Sequence, residues 1–280
     1  MTEDRDDLRE FAQTVSPIDG EIDLTRAALL IARPEYPDLD IDAEVAALDS
    51  MATVVARQST SDKEPLVALN TLSEYLFDDL GFKGNRDDYY DPRNSFLNEV
   101  LTRGVGMPIL LSLLYIEVGR RVGVPLVGVG LPYHFMVKHR DIDDLLVDPF
   151  SGGILLSIEE CAERLRERSD GSVKWDDRFL IPVTGRDFVA RILRNLKAIY
   201  FHRSDFQKAL STLDRLLIVR PTSVHDMRDR GLVHYRLGNF PEALDDLDGY
   251  MTSGVTGNDL PNIQEVMKTI RRNLGSKTKT

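Results

Sequence analysis

Two residues of this sequence have the types and the spacing for acid–base chemistry. His134 and Asp148 lie 14 residues apart, each in a short run of β-branched and apolar residues that reads as a strand. If those runs are successive strands, the side chains meet, and the carboxylate orients the imidazole and fixes its tautomer. A nucleophile would complete such a group. The chain holds one cysteine, Cys161, which shares a predicted helical face with Ile158, Ala162 and Leu165 and so reads as a small buried core residue. A single cysteine excludes an internal disulfide. The five histidines are scattered without ligand spacing, and Gly104-Val105-Gly106 is too short to cradle phosphate, so no metal and no cofactor is expected.

The elements that must position these residues follow from periodicity. Leu24, Ala27, Ala28 and Ile31 fall at helical spacing, and Pro34 and Pro37 end that helix. Val45, Leu48, Val54 and Val55 form the apolar face of a second helix, and a third covers residues 65–79. A short helix at 95–102 precedes a long apolar one from Pro108 to Val122, with proline at a favoured first position. Beyond Gly123-Val124-Pro125 the texture changes. Residues 126–131, 134–138 and 145–149 read as strands of an antiparallel sheet, with a polar turn at 140–144. Ser157-Ile158-Glu159-Glu160 is a capping box that opens another helix. Residues 1–13 read as a frayed acidic lead-in, and 1–19 are expected to be mobile.

From residue 185 the chain repeats itself. Leu193, Leu196, Tyr200, Phe206, Ala209, Leu210 and Leu213 are answered by Met227, Arg230, His234, Phe240, Ala243, Leu244 and Leu247 at a period of 34 residues. That period, with Ala209 and Ala243 at a tight helix crossing and Pro221 after the second helix, is the tetratricopeptide signature. Residues 261–274 would cap the stack. Arg191 and Arg194 sit where such repeats line a concave groove. His225 and Arg228 follow each by the same period, as Tyr235 follows Phe201. Paired cations with aromatics suit a protein or acidic peptide, and ordinary solvated arginines are the alternative.

The 280 residues carry a net charge of −11. Residues 1–50 hold 14 acidic and 4 basic side chains, while 186–280 hold 11 and 16. An acidic whole argues against nucleic acid, which needs a sustained basic surface. The asymmetry reads either as two solvated surfaces or as a front and tail that attract each other. No apolar run approaches the roughly 20 residues of a membrane span. The opening Thr2-Glu3-Asp4-Arg5-Asp6-Asp7 is unlike a secretory signal, so a cytoplasmic location is expected.

Four ordered motifs carry a resemblance. They are Tyr89-Tyr90-Asp91-Pro92-Arg93-Asn94-Ser95-Phe96-Leu97-Asn98, Arg103-Gly104-Val105-Gly106-Met107-Pro108, Pro132-Tyr133-His134-Phe135 and Val147-Asp148-Pro149-Phe150. Over residues 20–275 the chain resembles the SirB-type family of bacterial proteins. That resemblance implies an α+β fold, with a transglutaminase-like (papain-like) N-terminal domain, a small antiparallel sheet and an all-α tetratricopeptide-type helical repeat. The expected division is 1–184, 185–275 and a tail at 276–280. Tyr133 stands where the family usually has glycine, which narrows the cleft facing His134.

The wider superfamily, by resemblance, places a cysteine at the start of the long helix, ahead of the His and Asp positions. In this chain that slot falls at Met107 or Pro108, neither of which is a nucleophile. His134 and Asp148 are then either a structural pair inherited from a catalytic ancestor or a working acid–base or ligand site. Ser112, Ser95 and Tyr133 are the hydroxyls nearby in sequence, and Ser112 is expected to bond back to its own helix. Asp91, Arg93 and Asn94 have turn and cap chemistry. Arg93 also offers a planar fork, and with Asn94 and Tyr133 it is a candidate ligand contact. The expectation is a non-catalytic, regulatory protein- or peptide-binding protein, with an unconventional hydrolase or acyl-transfer enzyme as the alternative.

Overall fold

The computed structural model describes residues 2–17, 22–58 and 64–277, and divides them between two compact units, 1–192 and 193–280. The first is α+β. Its helices are α1 (Thr2–Thr14), α2 (Leu24–Ala32), α3 (Ile41–Gln58), α4 (Pro65–Ser73), α5 (Leu97–Arg103), α6 (Pro108–Arg121) and α7 (Ile158–Arg168). A π-helical turn, Glu74–Asp79, extends α4. Strands β1 (Lys83–Gly84) and β2 (Val105–Gly106) form a short parallel pair. Strands β3 (Leu126–Val129), β4 (Met136–His139), β5 (Leu145–Asp148) and β6 (Ile154–Ser157) form an antiparallel sheet in that order. The sheet therefore gains a fourth strand, β6, from the residues just ahead of the Ser157 capping box.

Helix α6 is the axis of this unit. Every residue from Pro108 to Gly119 is buried, as a helix that is apolar nearly all round requires. Its one buried charge, Glu117, accepts from Thr25 Oγ1 at 2.8 Å, Arg120 Nη2 at 2.9 Å and Arg121 Nη1 at 2.7 Å. Burial works to raise the Glu117 carboxyl, but these partners hold it below the usual range.

The opening residues are a helix rather than a frayed lead-in. Phe11 and Val15 are buried, and Glu10 pairs with Arg26 at 2.8 Å and Arg33 at 2.6 Å. An apolar anchor and two local counter-charges order a segment whose composition reads as solvated. The expected mobility of 18–19 lies outside the described residues.

Helix α8 (Gly185–Arg203) begins at the expected boundary, but the two units divide within it, at 192/193. Phe188 supplies one reason, since its ring meets that of Phe135 edge-on at 4.8 Å. In the second unit, α9 (Phe206–Val219), α10 (Val224–Leu237), α11 (Phe240–Thr252) and α12 (Leu260–Lys277) continue the helical repeat, with Ala209 and Ala243 fully buried. Among the described residues no helix is long and apolar enough to cross a membrane.

Candidate functional site

The sheet register brings the acid–base pair together. Val137 pairs with Val147 and Lys138 with Leu146. Continuing the ladder sets Met136 opposite Asp148, and His134, two residues on, reaches the same face diagonally. His134 Nε2 lies 2.9 Å from Asp148 Oδ1. His134 is not in a strand, however. It sits in a turn ahead of β4, where its N–H donates to Leu131 O and Tyr133 adopts a left-handed φ of 61°.

Asp148 is nearly sealed, at 4% side-chain exposure. Its Oδ1 also accepts from the backbone N–H groups of Phe150 and Ser151, capping the 3-10 turn Pro149–Ser151. Burial pushes its pKa up, but the hydrogen bonds from His134 and Ser151 hold it below the usual carboxylate value. With Nε2 committed to Asp148, the remaining ring atom of His134, Nδ1, is buried without a hydrogen-bond partner.

The start of α6 faces this histidine. Pro108 and His134 line the same cavity of about 360 Å3, together with Arg86, Tyr89, Tyr133, Phe150 and Arg168. The motif at 91–95 secures that helix end. Asp91 caps the 3-10 turn Pro92–Ser95, and Asn94 O accepts from Met107 N–H at 3.0 Å. Ser95 Oγ contacts Met107 Sδ at 3.0 Å. Asn94 is fully buried, its amide donating to Asp88 O and accepting from Asn85. Arg93 closes its fork on Asp91, with Nη2 2.7 Å from Oδ2. Neither Arg93 nor Asn94 lines a cavity at His134. Ser112 is buried inside α6, and its hydroxyl lacks the back-bond expected of it.

A second cavity, of about 580 Å3, shares Arg86, His134 and Arg168 with the first. Its walls include Leu131, Met136, Leu156 and Leu165, and its charged groups are Arg86, Arg164, Arg168, Asp148 and Glu167. Cys161 lines it too, 3.9 Å from Met136 Sδ, but burial pushes the thiol up to about 11, far from a reactive thiolate. Tyr133 stands at the rim of the smaller cavity, 60% exposed. Among the described residues no three His, Cys, Asp or Glu side chains converge to hold a metal.

Arg191 is placed differently from its expected groove position. It donates to the carbonyls of Leu131 at 3.0 Å and His134 at 2.6 Å, and its guanidinium lies 5.2 Å from the Phe135 ring centre. Arg191 thus clamps the turn that carries His134. Nothing in the repeat spacing signals this role. Arg164 and Arg168 were missed although a signal existed, because Cys161, Arg164, Leu165 and Arg168 share one helical face.

Within the second unit the candidate groove cations are answered by acids. Arg228 lies 2.7 Å from both Asp229 and Asp259, and Arg194 lies 3.9 Å from Asp226. Burial works against the Arg228 charge, but those two carboxylates raise its pKa. His225 approaches the Tyr250 ring at 6.2 Å, and Tyr235 packs on the core around Leu247 and Ile263.

Comparison with known proteins agrees with this architecture. Residues 42–194 match the model of the transglutaminase-like superfamily, and residues 196–268 that of the tetratricopeptide repeat. A UPF0162 protein of Xylella fastidiosa (strain 9a5c) is 40% identical over 249 residues, spanning 85% of this chain and 86% of that protein. The UPF0162 protein YchA of Escherichia coli (strain K12) is 27% identical over 221 residues, spanning 78% of this chain and 81% of that protein. F-box only protein 21 of Mus musculus is 31% identical over 186 residues, spanning 62% of this chain and 29% of that protein. A transglutaminase-like core joined to such repeats suggests a role in protein interaction. The chain belongs to the transglutaminase-like superfamily and, within it, to the UPF0162 proteins.

Proposed function

We propose that this chain is a SirB-type, cytoplasmic regulatory protein that binds a protein or peptide without transforming it. One observation carries the reading. The element facing His134 presents Pro108, while the neighbouring Met107 is engaged by Ser95, so among the described residues no thiol stands at the helix end opposite the positioned His–Asp pair. The repeat unit adds the protein-docking role. An acidic peptide in the repeat groove would have to displace Asp226 and Asp259 from Arg194 and Arg228. The cleft at His134 is where we place the anionic partner.

The test is a turnover assay on the full chain. The purified protein is incubated with p-nitrophenyl esters, and separately with a glutamine-containing protein and a fluorescent amine. Rates at background level, equal for wild type and His134→Ala, are expected. A rate above background that His134→Ala removes would overturn the proposal.

That outcome would favour the second reading, in which His134 activates water or a hydroxyl. The buried, unpartnered Nδ1 supports it, because such an atom has the lone pair a general base needs. Ser151 is the hydroxyl that lines the larger cavity, and its Oγ accepts from Arg86 at 3.3 Å.

A further inference from the structure

We propose that the cleft around His134 is a receptor site for a carboxylate carried by a peptide, gripped between Arg86 and Arg168. Arg86, His134 and Arg168 line both cavities, so the three cationic or ionisable groups stand at one continuous opening. Each cavity, about 580 and 360 Å3, lies within the range of ligand-binding clefts, roughly 300–1,000 Å3.

The arginines here differ from others in this acidic chain. Arg93, Arg178 and Arg230 each close on a carboxylate. Arg86 and Arg168 have no carboxylate partner among the described residues. Arg86 donates to Ser151 Oγ at 3.3 Å and lies 5.4 Å from the Phe150 ring centre, while Arg168 donates to Tyr133 O at 3.1 Å. Neutral acceptors hold both side chains in place, with no carboxylate in ion-pair contact among the described residues. Beside them His134 Nδ1 is buried without a hydrogen-bond partner. Guanidinium forks match a planar carboxylate, and apolar walls strengthen the attraction.

The charge balance selects the ligand. Arg86, Arg164 and Arg168 face Asp148 and Glu167, which leaves one net positive charge. That suits a monoanionic carboxylate rather than a phosphate dianion. Arg164 leans toward Asp148 at 4.0 Å, so Arg86 and Arg168 are the pair left for a ligand. Exposed Tyr89 and Tyr133 line the smaller cavity, a residue type suited to anchoring a peptide backbone. The carboxylate belongs either to an acidic side chain or to a chain terminus. The inference rests on the non-catalytic reading above and names its partner.

The experiment is an NMR titration of the full chain, read at the His134 ring and at backbone amides of 131–136 and 164–168. One probe is a Gly/Ser hexapeptide with a central Glu and both ends blocked, and a second is its Gln counterpart. A third is a Gly/Ser hexapeptide with a free C-terminal carboxylate, and a fourth is inorganic phosphate. Saturating shifts at those groups with the first or third peptide are expected, with Kd at or below about 1 mM. Whichever of the two saturates identifies the source of the carboxylate.

The Gln peptide should bind at least about tenfold more weakly, as should the Glu peptide to Arg86→Glu/Arg168→Glu. Arg168→Gln serves if the double charge reversal disturbs the fold, and the wild-type titration stands without either variant. Absence of saturation, equal binding of the Gln peptide, or tighter binding of phosphate than of both carboxylate peptides overturns the inference. Mass spectrometry of the recovered peptide separates the two claims. A cleaved or modified peptide overturns the non-catalytic reading while leaving the site. An intact peptide that never bound overturns the site alone.

Discussion

Pro108 and His134 line one cavity, the first from the start of α6 and the second from the turn ahead of β4. A side chain at position 108 therefore shares this cavity with the imidazole, and a helix N-terminus lowers the pKa of a thiol placed there. Pro108→Cys should be alkylated by iodoacetamide at neutral pH at least about tenfold faster than Cys161, whose thiol is pushed up to about 11. Adding His134→Ala should slow the reaction at position 108 and leave Cys161 unchanged. Peptide mapping after timed labelling reads both rates. Labelling at 108 that ignores His134 would separate the two residues.

Asp148 has two jobs, orienting His134 and capping the Pro149–Ser151 turn. Removing a buried, hydrogen-bonded carboxylate strands its donors, so Asp148→Ala should cost roughly 2–4 kcal/mol. Asp148→Asn keeps an acceptor and should cost about half that. The single Trp175 packs on the core cluster of Val129, Met136 and Leu156, so its fluorescence during urea unfolding reports on the first unit alone. Equal losses for the two variants would assign the whole effect to the charge.

Much of this arrangement was legible because its signals are local. The Ser157–Glu160 capping box forms with both of its hydrogen bonds, and the 34-residue period becomes two helical hairpins. The His134–Asp148 contact was legible from the 14-residue spacing on successive predicted strands, although His134 lies in the turn ahead of β4. What was not legible depends on tertiary partners. Arg191 and Arg194 look alike in sequence, yet one clamps the His134 turn and the other faces Asp226. Asn94 looks like a ligand group, and only the folded loop shows its amide directed inward. Residues 1–13 read as a frayed acidic lead-in until Phe11 is seen in the core.

The Arg191 clamp has a measurable consequence. Arg191→Leu leaves the carbonyls of Leu131 and His134 without their charged donor, which should cost roughly 1–3 kcal/mol by Trp175 fluorescence. Local effects should exceed the global one. Amide hydrogen exchange at 133–136 should accelerate more than exchange in α6, and uniform acceleration across the unit would deny Arg191 a specific hold on the turn.

Acid sensitivity should concentrate at Glu117. Its folded pKa lies below its ordinary value of 4.5, so its ionised form is favoured by the native state. The stability it contributes is present in full above the ordinary value and is lost as pH falls through the depressed one. Glu117→Gln should therefore be less stable than wild type at neutral pH, by roughly 1–3 kcal/mol. The gap should close on acidification. Urea midpoints measured from pH 7 down to pH 3 give the sign, and a deficit independent of pH would show that packing, not charge, is what Glu117 supplies.

Tyr133 is the residue most at odds with its own backbone. Its φ of 61° is left-handed, a conformation that costs a side chain roughly 1–2 kcal/mol and glycine nothing. Its ring is largely exposed, so little packing offsets that strain. Tyr133→Gly should relieve the strain and lose part of the gain to the freer unfolded chain, leaving the first unit about 0.5–1 kcal/mol more stable. Arg168 donates to the Tyr133 carbonyl, which glycine retains, so the mouth of the cleft should keep its shape. The Glu hexapeptide supplies the second readout. A variant that is more stable but binds the peptide several-fold more weakly would mean that the aromatic ring, held at the cost of strain, grips the ligand. Greater stability with unchanged affinity would mean that Arg86 and Arg168 suffice.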